Sequence, residues 1–308
     1  MPSYSGIFTL QAQMQAIAAN LWTAAPGVPT SVVATGGSAS ASVTFTAPAF
    51  TGGPAGVTAY TVTSSPGGLT GTGASSPISV TGLTNGTAYT FTVTATGASG
   101  ISAPSASSNS VTPLVPIGSA FGGGFFAGQI STTGNGVADY NLVVGPVASA
   151  QNSALRWKVA STSTPGTSSV IDGPANSAVM NNADHPAAQF CEAVTTGGFS
   201  DWYMPALNEL EVCYYNLKPT TATNLTSVGS NANAVPARGS NYTSGTPAQT
   251  SATDFRSTGA EDFVAASYWA STNFSAPNAW IKVFGNGNQY GYAKGNGIRV
   301  RAIRRVAV

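Results

Sequence analysis

The chain has 308 residues, enough for two domains of ordinary size. Only 7% of them are charged, against about 25% in a typical soluble domain, and the formal net charge is +1. This composition gives no electrostatic basis for binding nucleic acid or an anionic membrane surface.

The few charges are unevenly distributed. The first charged side chain is that of Asp139, and the sequence before it consists mainly of Ser, Thr, Gly, Ala, Val and Pro. Hydroxyl and amide groups must therefore keep this half in water, whereas free monomeric proteins usually use charge for that purpose. The composition favours a part that is held within a larger assembly, and an exported adhesion domain is the alternative.

Several other classes of protein do not fit the sequence. No run of eighteen or more apolar residues is present to span a bilayer. The N-terminus has neither Lys or Arg nor a continuous apolar run, so we expect no secretory signal peptide. Cys191 and Cys213 are too few for a disulfide framework, and no Cys/His pair has zinc spacing. We therefore expect neither a metal nor a cofactor.

The first segment, residues 1–25, contains a predicted helix with one apolar face. A helix of about twelve residues is marginal alone in water and must pack on its own domain, on sister copies or on a larger particle. The opening SGIFTLQAQ resembles the start of tail-fibre-like proteins of tailed bacteriophages. We predict an attachment and oligomerisation helix, with packing against the next domain as the alternative. Its apolar face carries Leu10, Met14, Ile17 and Leu21.

From residue 26 onward, apolar and polar residues alternate. Runs such as ASVTFTAP, TAYTFTVTATG and SNSVTP are separated by Gly, Pro and Asn-Gly signals, which is typical of an all-β sandwich. Residues 27–113 resemble a fibronectin type III domain, in which Tyr89 matches the tyrosine corner. Phe45 stands where that family usually has Trp. We predict that residues 26–113 form a spacer.

The remaining residues, 114–308, combine the spacing of an apolar helix face with the alternation typical of strands. The segments GGGFFAGQI, YNLVVGPVAS and ALRWKVAS are predicted strands, and PAAQFCEAV and ALNELEVCYYNL are predicted helices. The last 41 residues, from YWASTNF to the end, alternate again and should form the closing strands. The predicted fold class is mainly β: an N-terminal helix, a fibronectin type III sandwich and an α+β C-terminal domain.

Six segments of this last region resemble segments that occur in the same order in a known family. They are GGGFFAG, DGPANSAVM, HPAAQFCEAV, GGFSDWYMPALNEL, YWASTNFSAPNAWIKVFGNGNQ and VRAIRRV. Together they resemble the C-terminal domain of Legionella collagen-like adhesins, which belongs to the C-type-lectin-like superfamily. That superfamily also includes phage tropism determinants and sulfatase-modifying enzymes. The resemblance implies a receptor-binding domain over residues 114–308.

The resemblance also implies structural roles within GGFSDWYMPALNEL. Asp201 and Trp202 match the family's Asp-Trp, which joins the helical layer to the sheet, and Glu209 matches a Glu on the following helix. Pro205 fits the first turn of that helix. Trp269 and Trp280 are assigned to the core.

We expect the carboxylates of Asp201 and Glu209 to accept hydrogen bonds from the backbone or from Arg301 and Arg304. Buried carboxylates are rarely left unpaired. The functional alternative is a carboxylate pair for general acid–base catalysis, but no other catalytic chemistry converges on these residues.

Other catalytic interpretations are equally weak. His185 is the only histidine and lies just before a predicted helix, where a capping or loop role fits better than a base. The sulfatase-modifying relatives use paired cysteines late in their fold, whereas Cys191 and Cys213 lie on the two early helices. A disulfide between them is one possibility and a pair of buried thiols is the other. The loop motifs of calcium-dependent lectins are absent. We expect no enzyme activity.

The predicted ligand surface lies in the late strands and loops. Tyr, Asn, Ser and Gly are the residues that paratopes use, because they give contact area and adaptable hydrogen bonds. In phage tropism determinants, the variable receptor-contacting face maps to the corresponding strands. The alternative is that the Asn-Gly pairs are only hairpin turns. The candidate ligand residues are Asn273, Asn278, Asn286, Asn288, Gln289, Tyr290, Tyr292, Lys294 and Asn296.

These observations lead us to expect a non-enzymatic virion fibre protein of a tailed phage, assembled in the host cytoplasm. Its expected partners are other virion proteins through the N-terminus and a host-surface glycan or protein through the tip. We expect a homotrimer that neither binds nucleic acid nor inserts into a membrane. The alternatives are a capsid or tail decoration protein and a bacterial surface adhesin, and the expected lack of a signal peptide argues against the adhesin.

Overall fold

A computed structural model describes residues 11, 14, 15, 24–52 and 55–308. The chain divides into two compact units, Met1–Val115 and Pro116–Val308. Of the predicted N-terminal stripe, Met14 is helical and exposed. Leu10, Ile17 and Leu21 lie outside the described residues.

The first unit is a sandwich of two antiparallel sheets with the strand orders β1-β2-β5 and β4-β3-β6-β7. Alternate residues of β2, β3 and β6 are buried, and Val43, Val62, Phe91 and Val93 are fully enclosed in the core. The strands are β1 (Thr30–Gly37), β2 (Ser40–Thr46), β3 (Val57–Ser65), β4 (Thr70–Gly73), β5 (Ile78–Thr81), β6 (Thr90–Gly97) and β7 (Gly100–Ile101).

Two aromatic residues have the positions in this sandwich that the resemblance predicts. The hydroxyl of Tyr89 accepts a hydrogen bond from the backbone N–H of Thr84, at 3.1 Å, which is the geometry of a tyrosine corner. Phe45 packs on Tyr60 with 4.7 Å between ring centroids. Phe therefore fills the place of the usual Trp with a smaller ring.

A ladder of serines follows β7. Ser102, Ser105 and Ser108 donate their backbone N–H groups to carbonyls of β6, and their hydroxyls accept from N–H groups of β6 at 2.9 to 3.0 Å. The run SNSVTP, which we predicted as a strand, contributes only an isolated bridge between Val111 and Tyr89. Serine hydroxyls at every third position take the place of backbone carbonyls as acceptors for β6, while the serine N–H groups still pair with the β6 backbone, so the segment is not a regular strand.

The second unit contains two five-stranded sheets. One has the order β12-β9-β10-β17 with β8 beside β9, and the other has the order β11-β16-β13-β14-β15. Only the contact between β13 and β16 is parallel. The strands are β8 (Ala120–Phe121), β9 (Gly124–Ile130), β10 (Tyr140–Val144), β11 (Gln151–Leu155), β12 (Ala234–Val235), β13 (Ser267–Asn273), β14 (Asn278–Val283), β15 (Gln289–Ala293), β16 (Ile298–Arg301) and β17 (Ile303–Ala307).

Short helices accompany these sheets, and the predicted fold class, mainly β with a mixed α/β C-terminal region, is confirmed. The helices are α1 (Val147–Ala150), α2 (Gly173–Val179), α3 (Pro186–Glu192) and α4 (Leu207–Leu217), with 3-10 turns at Thr196–Gly198 and Thr253–Phe255. Among the residues described, no helix has the length and apolar character needed to cross a membrane.

The core of the second unit has two apolar clusters. One surrounds α4, which packs against β9 and β14. The other contains Trp157, Trp202 and Trp269, all fully buried, together with the inner face of α3. Each indole nitrogen donates to a backbone carbonyl, those of Ala270, Thr196 and Leu155 respectively, so these large side chains are buried without a lost hydrogen bond.

Candidate functional site

Most of the candidate ligand residues lie on the hairpin of β14 and β15. β15 is the last strand of its sheet, and its only paired neighbour is β14 within the described residues. Tyr290 stands opposite Ile281, and Tyr292 stands opposite Ala279. Because Ile281 and Ala279 are fully buried, the inner edge of the hairpin is fixed to the core.

Tyr290 and Tyr292 are exposed on the same side of β15. Their side chains are 40% and 36% exposed, and their ring centroids lie 6.2 Å apart. Side chains alternate along a strand, so Gly291 between them belongs to the opposite side. The ring of Tyr292 lies 6.2 Å from that of buried Trp269. The pair is therefore an exposed aromatic surface in which Tyr292 packs on the core and Tyr290 packs on Tyr292.

Phe274 forms an exposed aromatic surface on the opposite side of the hairpin, which the sequence did not suggest. It is 49% exposed and packs edge-on against Trp280, with 4.8 Å between ring centroids. A Cβ atom at Gly291 would lie 2.3 Å from the Phe274 ring, so only glycine fits beneath it. Trp280, which we assigned to the core, is only half-buried because it shares this outer layer with Phe274.

The candidate asparagines mainly shape turns. The side chain of Asn286 accepts from the backbone N–H of Asn288 at 3.1 Å, and Asn288 accepts from that of Gln289 at 2.8 Å. Gly287 has φ of +76°, and a Cβ there would collide with the ring of Tyr214. Asn286 is exposed, as is Asn296, whereas Asn278 is half-buried.

Lys294 is buried, so its prediction as an exposed ligand residue is wrong. Its ammonium donates to the side-chain oxygen of Asn273 at 2.6 Å and to two backbone carbonyls, and it lies 4.6 Å from the centroid of the Trp157 ring. These acceptors replace water, which allows the charge to be enclosed. Gln289 is half-buried and accepts from Lys282 at 3.2 Å. Lys294, Asn273 and Gln289 therefore support the hairpin from within.

Asp201 is paired with Arg304, as expected. Glu209 accepts from a backbone N–H, as expected, but the arginine that binds it is Arg305 rather than Arg301 or Arg304. Its oxygens accept from Arg305 at 2.8 Å, from the hydroxyl of Tyr203 at 2.6 Å and from the N–H of Ala206 at 2.8 Å. Burial raises the pKa of Glu209, and these three donors oppose that shift. A Cβ at Gly173 would lie 2.2 Å from this carboxylate, so a glycine is required beside it.

Arg301 serves a different part of the fold. It donates to Glu261 at 2.7 Å and to three backbone carbonyls, and its side chain is fully buried. Glu261 also accepts from the N–H of Val147 at the start of α1. Our expectation that Arg301 would bind Asp201 or Glu209 is wrong, because its donors are taken up by Glu261 and by backbone carbonyls.

Pro205 lies just before α4 rather than in its first turn, because α4 begins at Leu207. Its ring is buried, and its carbonyl accepts from the N–H of Ser271 on β13 at 2.8 Å. The proline thus connects the segment before α4 to the sheet.

A second buried polar network, which the sequence analysis did not predict, joins α4 to the hairpin. Glu211 accepts from Tyr242, at 2.7 Å, and also from Arg238 and Asn231. Tyr242 in turn accepts from Lys282 on β14 at 3.0 Å. These residues are far apart in sequence, so no motif could have revealed the network.

The residues considered for catalysis have neighbours that indicate a structural role. The ring nitrogens of His185 lie 2.8 Å from Asn182 and 3.0 Å from Thr164. Cys191 and Cys213 are free thiols, buried in different apolar clusters, and burial raises the pKa of both. Within the described ranges, no group of three or more His, Cys, Asp or Glu residues could hold a metal ion.

Comparison with known proteins identifies the same two domains. The model of the Lcl C-terminal domain matches residues 147–304, and that of the fibronectin type III domain matches residues 25–111. No curated protein matches the chain.

Solved structures that resemble part of the chain include the following three. The titin kinase with its flanking domains shares 26% identity over 29% of this chain and 17% of that chain, with a TM-score of 0.26. The twitchin kinase region from C. elegans shares 22% over 29% and 17%, and the rat CD45 extracellular region shares 22% over 29% and 51%, each with a TM-score of 0.26. The chain thus spans about half or less of the length of each structure.

Fibronectin type III and Lcl C-terminal domains are typically non-catalytic, and together they suggest an adhesin-like or receptor-binding protein. The Lcl match covers more than half of the 308 residues and follows the fibronectin match in the expected order. The chain belongs to the Lcl C-terminal domain family.

Proposed function

We propose that this chain is a fibre protein of a tailed-phage virion whose C-terminal domain contacts the host surface. The exposed pair of Tyr290 and Tyr292 on the edge strand β15 carries this proposal. Tyrosine supplies a large contact area with only two side-chain torsions to order, and a strand anchored to the core keeps the rings in place. A glycan or a protein of the host surface is the proposed partner.

The rest of the chain supports this arrangement. The first unit is a compact sandwich without a single charged residue, which suits a spacer between an attachment point and a tip. In this proposal, residues 1–25 attach the chain to other virion proteins and help three copies associate. The protein carries no cofactor and turns over no substrate, and it is located on the virion after assembly in the host cytoplasm.

Adsorption of particles to host cells tests the proposal. Changing Tyr290 and Tyr292 together to Ala should lower the adsorption rate about tenfold or more, since central aromatic contacts often contribute 2 kcal/mol or more to binding, by rough estimate. Phe274→Ala is the matched control, because it removes an equally exposed ring from the opposite side of the same hairpin. Circular dichroism should show that all variants remain folded.

A folded double variant with normal adsorption would contradict the receptor role of this surface. A decoration or structural role on capsid or tail would then describe the protein better. Imaging of particles labelled at the C-terminus distinguishes these roles, because a receptor-binding tip must project from the virion.

A further inference from the structure

The backbone of β15 bonds to β14 through every second residue. The N–H of Val283 donates to the carbonyl of Asn288 at 2.8 Å, which marks one bonded pair of the hairpin. Bonded pairs alternate along an antiparallel ladder, so the register makes Tyr290 and Tyr292 the residues of β15 that bond to β14. The residues between and beside them turn their backbone groups to the outer edge of the sheet. They are Gln289, Gly291 and Ala293.

Local hydrogen bonds limit the free part of this edge. The N–H of Gln289 donates to the side chain of Asn288 at 2.8 Å. The carbonyl of Ala293 accepts from the N–H of Asn296 at 3.1 Å. The carbonyl of Gln289, both groups of Gly291 and the N–H of Ala293 have no partner among the residues that the structure describes. The edge thus offers two donors and two acceptors, arranged symmetrically around Gly291.

The edge also lacks the features that usually prevent pairing. Edge strands of natural proteins carry charges, proline or bulges for this purpose. β15 has the sequence QYGYA, with neither a charged residue nor proline, and its register shows no bulge. Lys294, the next residue, does not protect the edge, because backbone carbonyls and Asn273 enclose its ammonium. The strand is therefore open to pairing with another strand.

We propose that β15 pairs with β15 of a second copy of this chain, antiparallel and with Gly291 opposite its counterpart. In this register every free donor and acceptor of both strands finds a partner, whereas a shift by two residues leaves half of them unpaired. The register also places Tyr290 opposite Tyr292 of the second copy, and aromatic cross-strand pairs stabilise sheets. This self-complementarity is the reason for assigning the edge to a second copy rather than to an unrelated strand.

The pairing covers both faces of the edge. Tyr290 and Tyr292 lie on one face, and Phe274, which packs over Gly291 and is 49% exposed, lies on the other. A two-fold contact cannot join three copies into a closed ring, so it joins copies from separate fibres. The pairing does not rest on the proposed host contact, and a paired strand is not available to the host surface.

Sedimentation velocity of the full chain over a concentration series tests the pairing. We expect the particle mass to double as the concentration rises. Ala293→Pro should raise the dissociation constant at least tenfold, because it removes an outward N–H from each strand and leaves the bonds to β14 intact. Ala293→Ser keeps that N–H, so this matched control should associate like the parent.

Disulfide formation tests the register. A variant with both Tyr290→Cys and Tyr292→Cys should form linked copies in a glutathione redox buffer, because opposite residues of a non-bonded pair have Cα atoms about 4.5 Å apart. Tyr290→Cys alone should not link, since its counterpart in the second copy lies two residues away. The native thiols of Cys191 and Cys213 are buried and do not compete.

Several results would overturn the proposal. A particle mass that does not change with concentration would exclude the pairing, and equal association of Ala293→Pro and the parent would place the contact elsewhere. Association of Ala293→Ser as weak as that of Ala293→Pro would remove the role of the N–H. If Ala293→Pro failed to fold, absence of linked copies in the double cysteine variant would exclude the pairing.

One combination of results would identify another occupant. If the parent stays unassociated and Ala293→Pro lowers the adsorption of particles to host cells, the edge binds an extended segment of a host protein instead. Sedimentation involves no receptor, so failure of the pairing leaves the proposed host contact of Tyr290 and Tyr292 unaffected.

Discussion

Arg304 and Asp201 form a two-point ion pair across 103 residues of sequence, with Nε–Oδ1 and Nη2–Oδ2 distances of 2.7 and 2.8 Å. The same guanidinium donates to the carbonyl of Gly122 at 2.8 Å and lies 3.7 Å from the centroid of the Phe199 ring. Strand β17 is thereby tied to the segment before α4 and to the turn between β8 and β9. The carboxylate of Asp201 could suggest catalysis, but it instead connects parts of the fold through Arg304. This Arg304–Asp201 connection is the structural joint of the domain.

Replacing Arg304 with Met should lower the free energy of unfolding of the C-terminal domain by about 2–4 kcal/mol. Asp201 is 54% exposed and can regain water, so we expect a value in the lower half of that range. Urea unfolding measures the change. Arg156→Met is the control, since its exposed side chain makes no hydrogen bond with a described residue. Equal stability of the two variants would show that the joint contributes little.

Ser105→Ala should destabilise the first unit by about 1–3 kcal/mol, because the buried N–H of Val93 then loses its only acceptor among the described residues. Ser107, which is exposed and lies outside the ladder, provides the matched Ser107→Ala control. Thermal unfolding followed at a wavelength sensitive to β structure compares the two. If both variants keep the parental melting temperature, the serine ladder is not a stabilising element.

The buried amine of Lys282 should make stability depend on pH. Burial lowers its pKa from 10.5 to about 7, while Glu211 opposes that shift and Arg238 adds to it. Between these two values the unfolded chain binds more protons than the folded chain, so this contribution to the unfolding free energy rises with pH. It is complete above pH 10.5 and is lost as pH falls through about 7.

Lys282 contributes at most about 1.4 kcal/mol per pH unit to the slope of the unfolding free energy against pH. Urea unfolding of the parent and of Lys282→Met should be compared between about pH 6 and pH 9. The difference isolates the contribution of Lys282, because the two proteins share all other titrating groups. The parent should gain stability relative to the variant as pH rises. A difference that stays constant over this range would mean that Lys282 keeps its ordinary pKa, with Tyr242 and Gln289 solvating the ammonium fully.

Deleting residues 1–25 should leave a folded, soluble chain that no longer enters virions. The buried core residues described in both units all come from the chain after residue 25, which is the basis for expecting the truncated chain to fold. Light scattering should give three copies for the full chain and fewer for the truncated one. Quantification of the protein in purified particles provides the second measurement, and normal incorporation of the truncated chain would refute the attachment role.

The sequence by itself determined the domain types and much of the aromatic core. The alternation of residues before 113 predicted the sandwich, and Tyr89 forms the expected corner because that contact spans only five residues. Asp-Trp-Tyr-x-Pro and the closing Val-Arg-x-Ile-Arg located the family, and Trp269, which was assigned to the core, is fully buried together with Trp202. Local periodicity and short-range motifs can be read directly from a sequence, because they involve residues that are close together in the chain.

Only the tertiary structure decided which polar residues meet. Glu209 binds Arg305, which the sequence analysis did not single out, and Arg301 binds Glu261 rather than the expected Asp201 or Glu209. Lys294 turned out to be buried because carbonyls from two distant loops surround its ammonium. Burial and pairing of charge depend on contacts between segments that are remote in sequence. The pattern of one strand therefore cannot tell an exposed lysine from an enclosed one.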